Sequence, residues 1–390
     1  MITSSRVDNF NFDPARLKEA REARGHTARY FAELIDVTPQ AVSQYEVGQT
    51  KPKWDVLLKI ASVLNVPVTF FSTQPLASRE QEQVFYRSLK STQKQERQRL
   101  KRKSHWVKDL VVYLERYLEL PKVEFPAFEW LQYDDVHGLE VDDIERAASE
   151  LREYWKLGKG PIANIVKLLE AKGAVVVRQP FECEKMDGFS LWYKSRPYIY
   201  LSSDKTNGTR SRFDAAHEAG HAILHAGVEL TEKNFDRIEK EAHRFASAFL
   251  LPRESFAQEV FSSNLEHFIE LKKRWKVSIA AMIYRCQNLG LLNDNQIQYL
   301  RKRMNALGIT KREPLDDIIE IEKPRLLHKA ITALIDNNVV SRDDICREVS
   351  LLPFEIEQIC NLQAGYLLDK QNDNVIYINV RPKQDGQPPL

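Results

Sequence analysis

No stretch of this sequence is long and apolar enough to span a bilayer, and its charged N-terminus has no signal-peptide core. Charge of one sign is also lacking: 57 Lys and Arg oppose 55 Asp and Glu, and the net +2 singles out no partner. Basic residues do cluster between Arg87 and Lys108. Cysteine is scarce. Cys183, Cys286, Cys346 and Cys360 lie far apart with no C-x-x-C pair, which argues against a disulfide framework and a cysteine-ligated zinc site. The expectation is a cytoplasmic protein with reduced thiols and no membrane association. The 390 residues, 43% hydrophobic and 29% charged, suffice for two or three domains with cores of their own.

One stretch organises the rest. Residues 213–225 read Phe-Asp-Ala-Ala-His-Glu-Ala-Gly-His-Ala-Ile-Leu-His, and His217, Glu218 and His221 form H-E-x-x-H. On a helix, positions i and i+4 share a face, so both imidazoles can reach one metal ion. Glu218, beside the first ligand, can take a proton from a water held there. Two neutral nitrogens, a third protein ligand and an open position make up a zinc peptidase site. The motif sits in a helix whose apolar positions include Phe213, Ala216, Ile223 and Leu224.

The N-terminal part reads as short helices. Asp13-Pro14 opens the first, Gly25 stops it, and a second runs from about Ala28 to Ile35. Thr38-Pro39 caps a third, Gln40 to Glu46, and a fourth spans Trp54 to Leu64. A tight turn between the second and third describes a helix-turn-helix, with the third helix entering a major groove. There Gln40, Ser43 and Gln44 share a polar face suited to base edges, and Lys51 and Lys53 suit phosphates. The stretch from Phe31 through Thr38-Pro39-Gln40-Ala41-Val42-Ser43-Gln44-Tyr45-Glu46-Val47-Gly48 to Lys51-Pro52 resembles the Xre/Cro/CI-type repressor helix-turn-helix. That resemblance implies an operator of double-stranded DNA, binding as a homodimer, and DNA contacts from Thr38 and the residues just named. Where the family often opens the second helix with glutamine, this chain has Ala28 and Arg29, and Arg29 is expected to take that contact.

Between Phe70 and Pro126 the sequence reads as a charged helical connector. Its basic run, Arg87 to Lys103, either lies along phosphates or is a solvated helix face. The next segment, Trp106 to Leu120, has apolar residues at helical spacing and should pack on the peptidase or across a dimer.

Residues 141–157 and 162–171 read as helices, and 174–177, 188–193 and 197–201 as strands. A small sheet therefore precedes the H-E-x-x-H helix, and its edge can hold a peptide by strand addition. The third ligand should lie on a following helix, Ile238 to Pro252. Glu239 and Glu241 flank that helix's apolar face about 160° apart, and spacing alone does not separate Glu239, Glu241 and His243. The two motifs in order, His217 to His221 with Leu224-His225, then Ile238-Glu239 through Ala242, Phe245-Ala246 and Leu250-Leu251-Pro252, look like the ImmA/IrrE-type metallopeptidase family. The resemblance implies Glu239 as third zinc ligand and Glu218 as general base. His243 stands where that family commonly has asparagine, and is expected near the site. His225 is expected behind the ligands or at the oxyanion; it does not extend the motif to H-E-x-x-H-x-x-G-x-x-H.

The C-terminal third reads as helices (Leu265–Leu292, Asn295–Leu307 and 324–360), then a strand, Val375–Val380. No catalytic constellation stands out there, and dimerisation, substrate docking, effector sensing or plain support all fit. The expected architecture is mainly α and multidomain: a helix-turn-helix bundle (13–72), a basic connector (73–140), an α+β zincin-like domain (141–260) and a helical C-terminal domain (261–390). The implied function is a DNA-binding regulator carrying a Zn2+-dependent endopeptidase that cleaves a repressor or antitoxin-like partner in a stress- or mobile-element-linked response. The rival is a transcription factor whose metal site is a sensor or structural relic.

Overall fold

Asp13 and Thr38, each followed by proline, open helices where the sequence placed them. The Asp13 carboxylate accepts from the Ala15 amide, and the Thr38 hydroxyl from that of Ala41. The computed structural model describes residues 10–79, 84–86, 94–134, 136–183, 186–204 and 206–368. Helices α1 (Pro14–Ala23), α2 (Ala28–Leu34), α3 (Pro39–Glu46) and α4 (Trp54–Leu64) form the N-terminal bundle, closed by a 3₁₀ turn at Val68–Phe71. Leu17, Phe31, Val42, Ile60 and Phe70 are fully buried at its centre.

The connector differs from expectation. It contains a short strand, β1 (Val84–Tyr86), which nothing in the helical reading of 73–140 anticipated. Val-Phe-Tyr is a strand-forming triplet, but three residues are too few to show a period. Helix α5 (Lys94–Leu114) follows and stops at Leu114, short of Leu120. Arg87 and its neighbours up to residue 93 lie outside the described residues. From Lys94 on, two arginines of the basic run are engaged within the chain. Arg99 bonds the Phe181 carbonyl and Glu182, and Arg102 bonds Glu22 of α1 at 2.7 Å. The apolar half of α5 packs within the chain: Trp106, Val107, Leu110 and Leu114 share a core with the N-terminal bundle and one face of the sheet.

That bundle is fastened to α5 by a buried polar network. Glu19 of α1 accepts from Arg16 at 2.7 Å, from Arg79 at 3.0 Å and from the Trp106 indole at 3.1 Å. Arg79 also bridges to Asp109 at 2.5 Å. Burial opposes ionisation of Glu19, yet His105, Arg16 and Arg79 overcome it and hold the carboxyl far below its ordinary range.

Helices α6 (Val141–Tyr154) and α7 (Ile165–Ala171) precede strands β2 (Val175–Gln179), β3 (Gly188–Tyr193) and β4 (Arg196–Ser202). The sheet order is β1-β3-β4-β2, with β2 and β4 parallel and the other pairs antiparallel. Period-2 alternation gives it two buried faces. Val176, Ile199 and Leu201 join α6, α7 and the helices that follow; Val175, Val177, Tyr198 and Tyr200 face α5 and the N-terminal bundle.

After the sheet come α8 (Gly208–Leu224) and α9 (Phe235–Leu250), the helices of the two motifs. Helices α10 (Arg253–Glu259), α11 (Leu265–Trp275), α12 (Ile279–Leu289) and α13 (Asp294–Ala306) continue the core of α6–α9 without a break, so residue 260 lies inside one packed unit. A strap at 315–323 crosses the start of α8. Carbonyls of Ile319 and Glu320 stand where a side chain at Gly208 would go, and Glu322 pairs with the buried Arg212. The last helices, α14 (Leu326–Asp336), α15 (Arg342–Val349) and α16 (Pro353–Cys360), turn back onto α5 and the sheet, and Glu355 pairs with Arg24 at the end of α1. The expected strand Val375–Val380 lies outside the described residues. No helix among the described residues is long and apolar enough to cross a membrane.

Candidate metal centre

Helices α8 and α9 meet where α8 has no side-chain bulk. Gly220 of α8 lies against the Phe245 ring and the Ala242 carbonyl of α9; a methyl group there would stand 2.9 Å from the ring. The fully buried Ala216 and Ala219 line the same core. This close approach sets Glu239, near the start of α9, beside both motif histidines.

The three donor groups converge. His217 Nε2 and His221 Nε2 are 3.0 Å apart, and the Glu239 oxygens lie 3.3 Å and 3.2 Å from them. A tetrahedral ion with bonds near 2.0–2.1 Å has ligand–ligand edges of about 3.3 Å, so the triangle fits such an ion with little adjustment. Two neutral imidazoles and a carboxylate are also the donor set of catalytic zinc sites. His217, His221 and Glu239 are the group among the described residues that can hold a metal ion. Burial works against the Glu239 charge, but hydrogen bonds from the two histidines lower its pKa to about 2.

The two candidates that spacing left beside Glu239 are placed elsewhere. Glu241 faces away from the triangle: Oε2 is 2.9 Å from His225 Nε2, and Oε1 accepts from the Leu139 amide at 3.0 Å. His225 Nδ1 in turn lies 3.1 Å from His221 Nδ1. Glu241, His225 and His221 thus form a buried chain ending at the triangle. His225 therefore stands behind His221, on the side away from His217. Burial, with His221 beside it, pushes its pKa well down, and burial raises that of Glu241. His243 lies outside the group of His217, His221 and Glu239. Its ring packs 4.7 Å from Phe213 and 5.1 Å from Tyr284, in the wall of the neighbouring cleft.

Glu218 is fully buried on the sheet side of α8. Its carboxylate rests on Gly188, the first residue of β3, where an added Cβ would come within 2.8 Å of Oε1. A cleft of about 880 Å³ opens at the triangle; Asp187, His217, Glu239, His243, Tyr284 and Arg301 are among its lining residues. Tyr284 and Arg301 belong to α12 and α13, so the C-terminal region supplies a wall of the site. Nothing in the sequence flagged them, or Asp187 and Gly188, because a wall residue needs no motif.

Residues 169–287 match the family model of the IrrE N-terminal-like domain, a peptidase family, and residues 17–71 match that of a helix-turn-helix. The chain joins an Xre-type helix-turn-helix to an IrrE-type peptidase-like domain. No curated protein matches it. The IrrE match runs past residue 260 into α12, as the continuous core does. In the helix-turn-helix, Thr38, Gln40, Ser43, Lys51 and Lys53 are exposed, whereas Gln44 is half-buried. The Thr38 hydroxyl is already engaged as the cap of α3. Arg29 is 86% exposed and pairs loosely with Glu33 at 3.5 Å.

Proposed function

We propose that this chain is a DNA-binding regulator whose IrrE-like domain is a zinc-dependent endopeptidase acting on a repressor or antitoxin-like protein. The observation that carries the reading is the triangle of His217, His221 and Glu239 at a cleft of about 880 Å³, with Glu218 following His217 on the same helix and resting on Gly188. In this reading the three residues hold Zn2+. Zinc bound there would supply Lewis acidity toward water and a peptide carbonyl. The Glu218 carboxylate accepts the proton of the attacking water and returns it to the leaving amine. A cleft of about 880 Å³ has room for a stretch of extended chain.

The Glu241–His225 pair sets the proton on His221. If His221 offers its Nε2 lone pair to the metal, its proton sits on Nδ1 and is donated to His225 Nδ1. His225 then keeps its own proton on Nε2 for Glu241. We expect His225→Phe to weaken zinc binding about 10- to 100-fold, measured by competition with a chromophoric chelator; unchanged affinity would remove the positioning role. Gly188→Ala should displace Glu218 and lower cleavage about tenfold or more at full zinc occupancy. Full activity with a methyl group at 188 would mean that the carboxylate is not fixed by the sheet.

On DNA, Gln40, Ser43 and Gln44 would read base edges, while Arg29, Thr38, Lys51 and Lys53 hold phosphates in a homodimer on two half-sites. A second reading, a metal sensor without cleavage, draws on depth: the His217 and His221 side chains are 2% and 0% exposed. One comparison separates the two. New protein N-termini are mapped in cells expressing the native chain or Glu218→Ala. A terminus seen only with the native chain supports the peptidase. Identical maps at rest and under stress favour the sensor.

A further inference from the structure

We propose that strand β1 is an internal competitor for the protein substrate: it occupies the sheet edge next to the metal centre until an incoming extended segment displaces it. The inference rests on the peptidase reading above and adds its regulation.

Three observations carry it. Strands β2–β4 lie within the segment that matches the IrrE-like family, but β1 comes from the connector, outside it. In the order β1-β3-β4-β2, one side of β3 is taken by β4, and among the described residues β1 is the strand paired on the other, at 189–191. Without it, β3 would present a row of unpaired N–H and C=O groups, the template on which an extended chain adds as a further strand.

That edge is also at the right end of the molecule. Gly188, the first residue of β3, supports Glu218, and Asp187 before it lines the cleft. Val84 pairs with Leu191, Phe85 with Ser190 and Tyr86 with Phe189, antiparallel. The strand therefore runs toward Gly188, and Tyr86 stands one register position from the residue that touches Glu218. A substrate added in the same sense would be led toward the centre.

The occupant is built to be exchangeable. A pairing of three residues is marginal by itself, so a longer strand can outcompete it. On the N-terminal side Arg79 is anchored by Glu19 and Asp109, and on the C-terminal side α5 starts at Lys94. Once displaced, the segment stays tethered close to the edge and can return, which makes the competition reversible. The same tether places the exchange between the DNA-binding bundle and the cleft.

The test uses the full zinc-loaded chain and a triple variant, Val84→Gly, Phe85→Ser, Tyr86→Gly, with retained operator binding as the check on folding. The probe is a synthetic peptide of residues 80–90. We expect backbone amides at 189–191 to exchange faster in the variant and to regain protection when the peptide is added. The peptide should bind the variant at least about tenfold more tightly than the native chain, and cleavage of fluorescein-labelled casein should rise in parallel. Equal peptide affinities, or amide exchange at 189–191 unchanged by the triple substitution, would overturn the proposal. Restored protection without cleavage by either chain would leave the strand exchange standing and defeat the peptidase reading.

Discussion

Glu218→Ala is expected to lower cleavage of the protein substrate about 10²- to 10⁴-fold, the range for loss of a general base, while zinc content stays at one ion per chain. The separation of the two effects follows from the geometry. The donor triangle involves His217, His221 and Glu239, and its edges of 3.0–3.3 Å do not depend on the Glu218 side chain. Glu218 instead leans on Gly188 of β3, on the sheet side of α8. Glu218→Gln, which keeps the volume, should be nearly as inactive, because an amide cannot accept and return a proton. Metal analysis by mass spectrometry beside a turnover assay checks both. Loss of zinc in either variant would mean that Glu218 is part of the binding site and not a proton carrier. By contrast, Glu239→Gln should lose metal and activity together.

The second large effect concerns stability. Glu19→Ala should destabilise the chain by about 3–5 kcal/mol, the usual consequence of removing one member of a buried ionic network. It leaves Arg16 at 2% exposure without its nearest carboxylate and takes one of two carboxylate partners from Arg79. It also leaves the Trp106 indole without its acceptor. Because the folded-state pKa of Glu19 lies below its unfolded value, its contribution is complete above the ordinary glutamate range. That contribution is lost as the pH falls through and below that range. Urea melts at pH 7 and at pH 4 should therefore show a smaller difference between native and Glu19→Ala chains at the lower pH. An equal difference at both would place the effect in packing and not in charge.

How the N-terminal bundle is attached could not be anticipated, since Glu19, Arg79 and Asp109 are remote in sequence and only the folded chain brings them together. The four helices of the bundle, in contrast, were legible with their boundaries. Their signals are local: a capping side chain, a proline at the first turn, a glycine or asparagine at the end. The strands at 175–202 were legible for a similar reason, as β-branched and aromatic runs broken by glycine and charged turns. What Arg99 and Arg102 of α5 face was not legible, because composition says nothing about what a helix packs against. Glu22 and Glu182, which take up these arginines, come from other elements.

For the site, the sequence by itself determined that two imidazoles could share a helix face, because spacing by four is a property of the helix alone. It also determined a short list for the third ligand. Choosing among Glu239, Glu241 and His243 was a tertiary decision. The depth at which Gly220 lets α8 and α9 approach sends Glu239 to the triangle, Glu241 to His225 and His243 to the cleft wall. The sheet edge was likewise decided only in three dimensions. Three strand-forming residues in a charged connector carry no period, and what makes 84–86 a strand is the unpaired backbone of β3 beside which they fold.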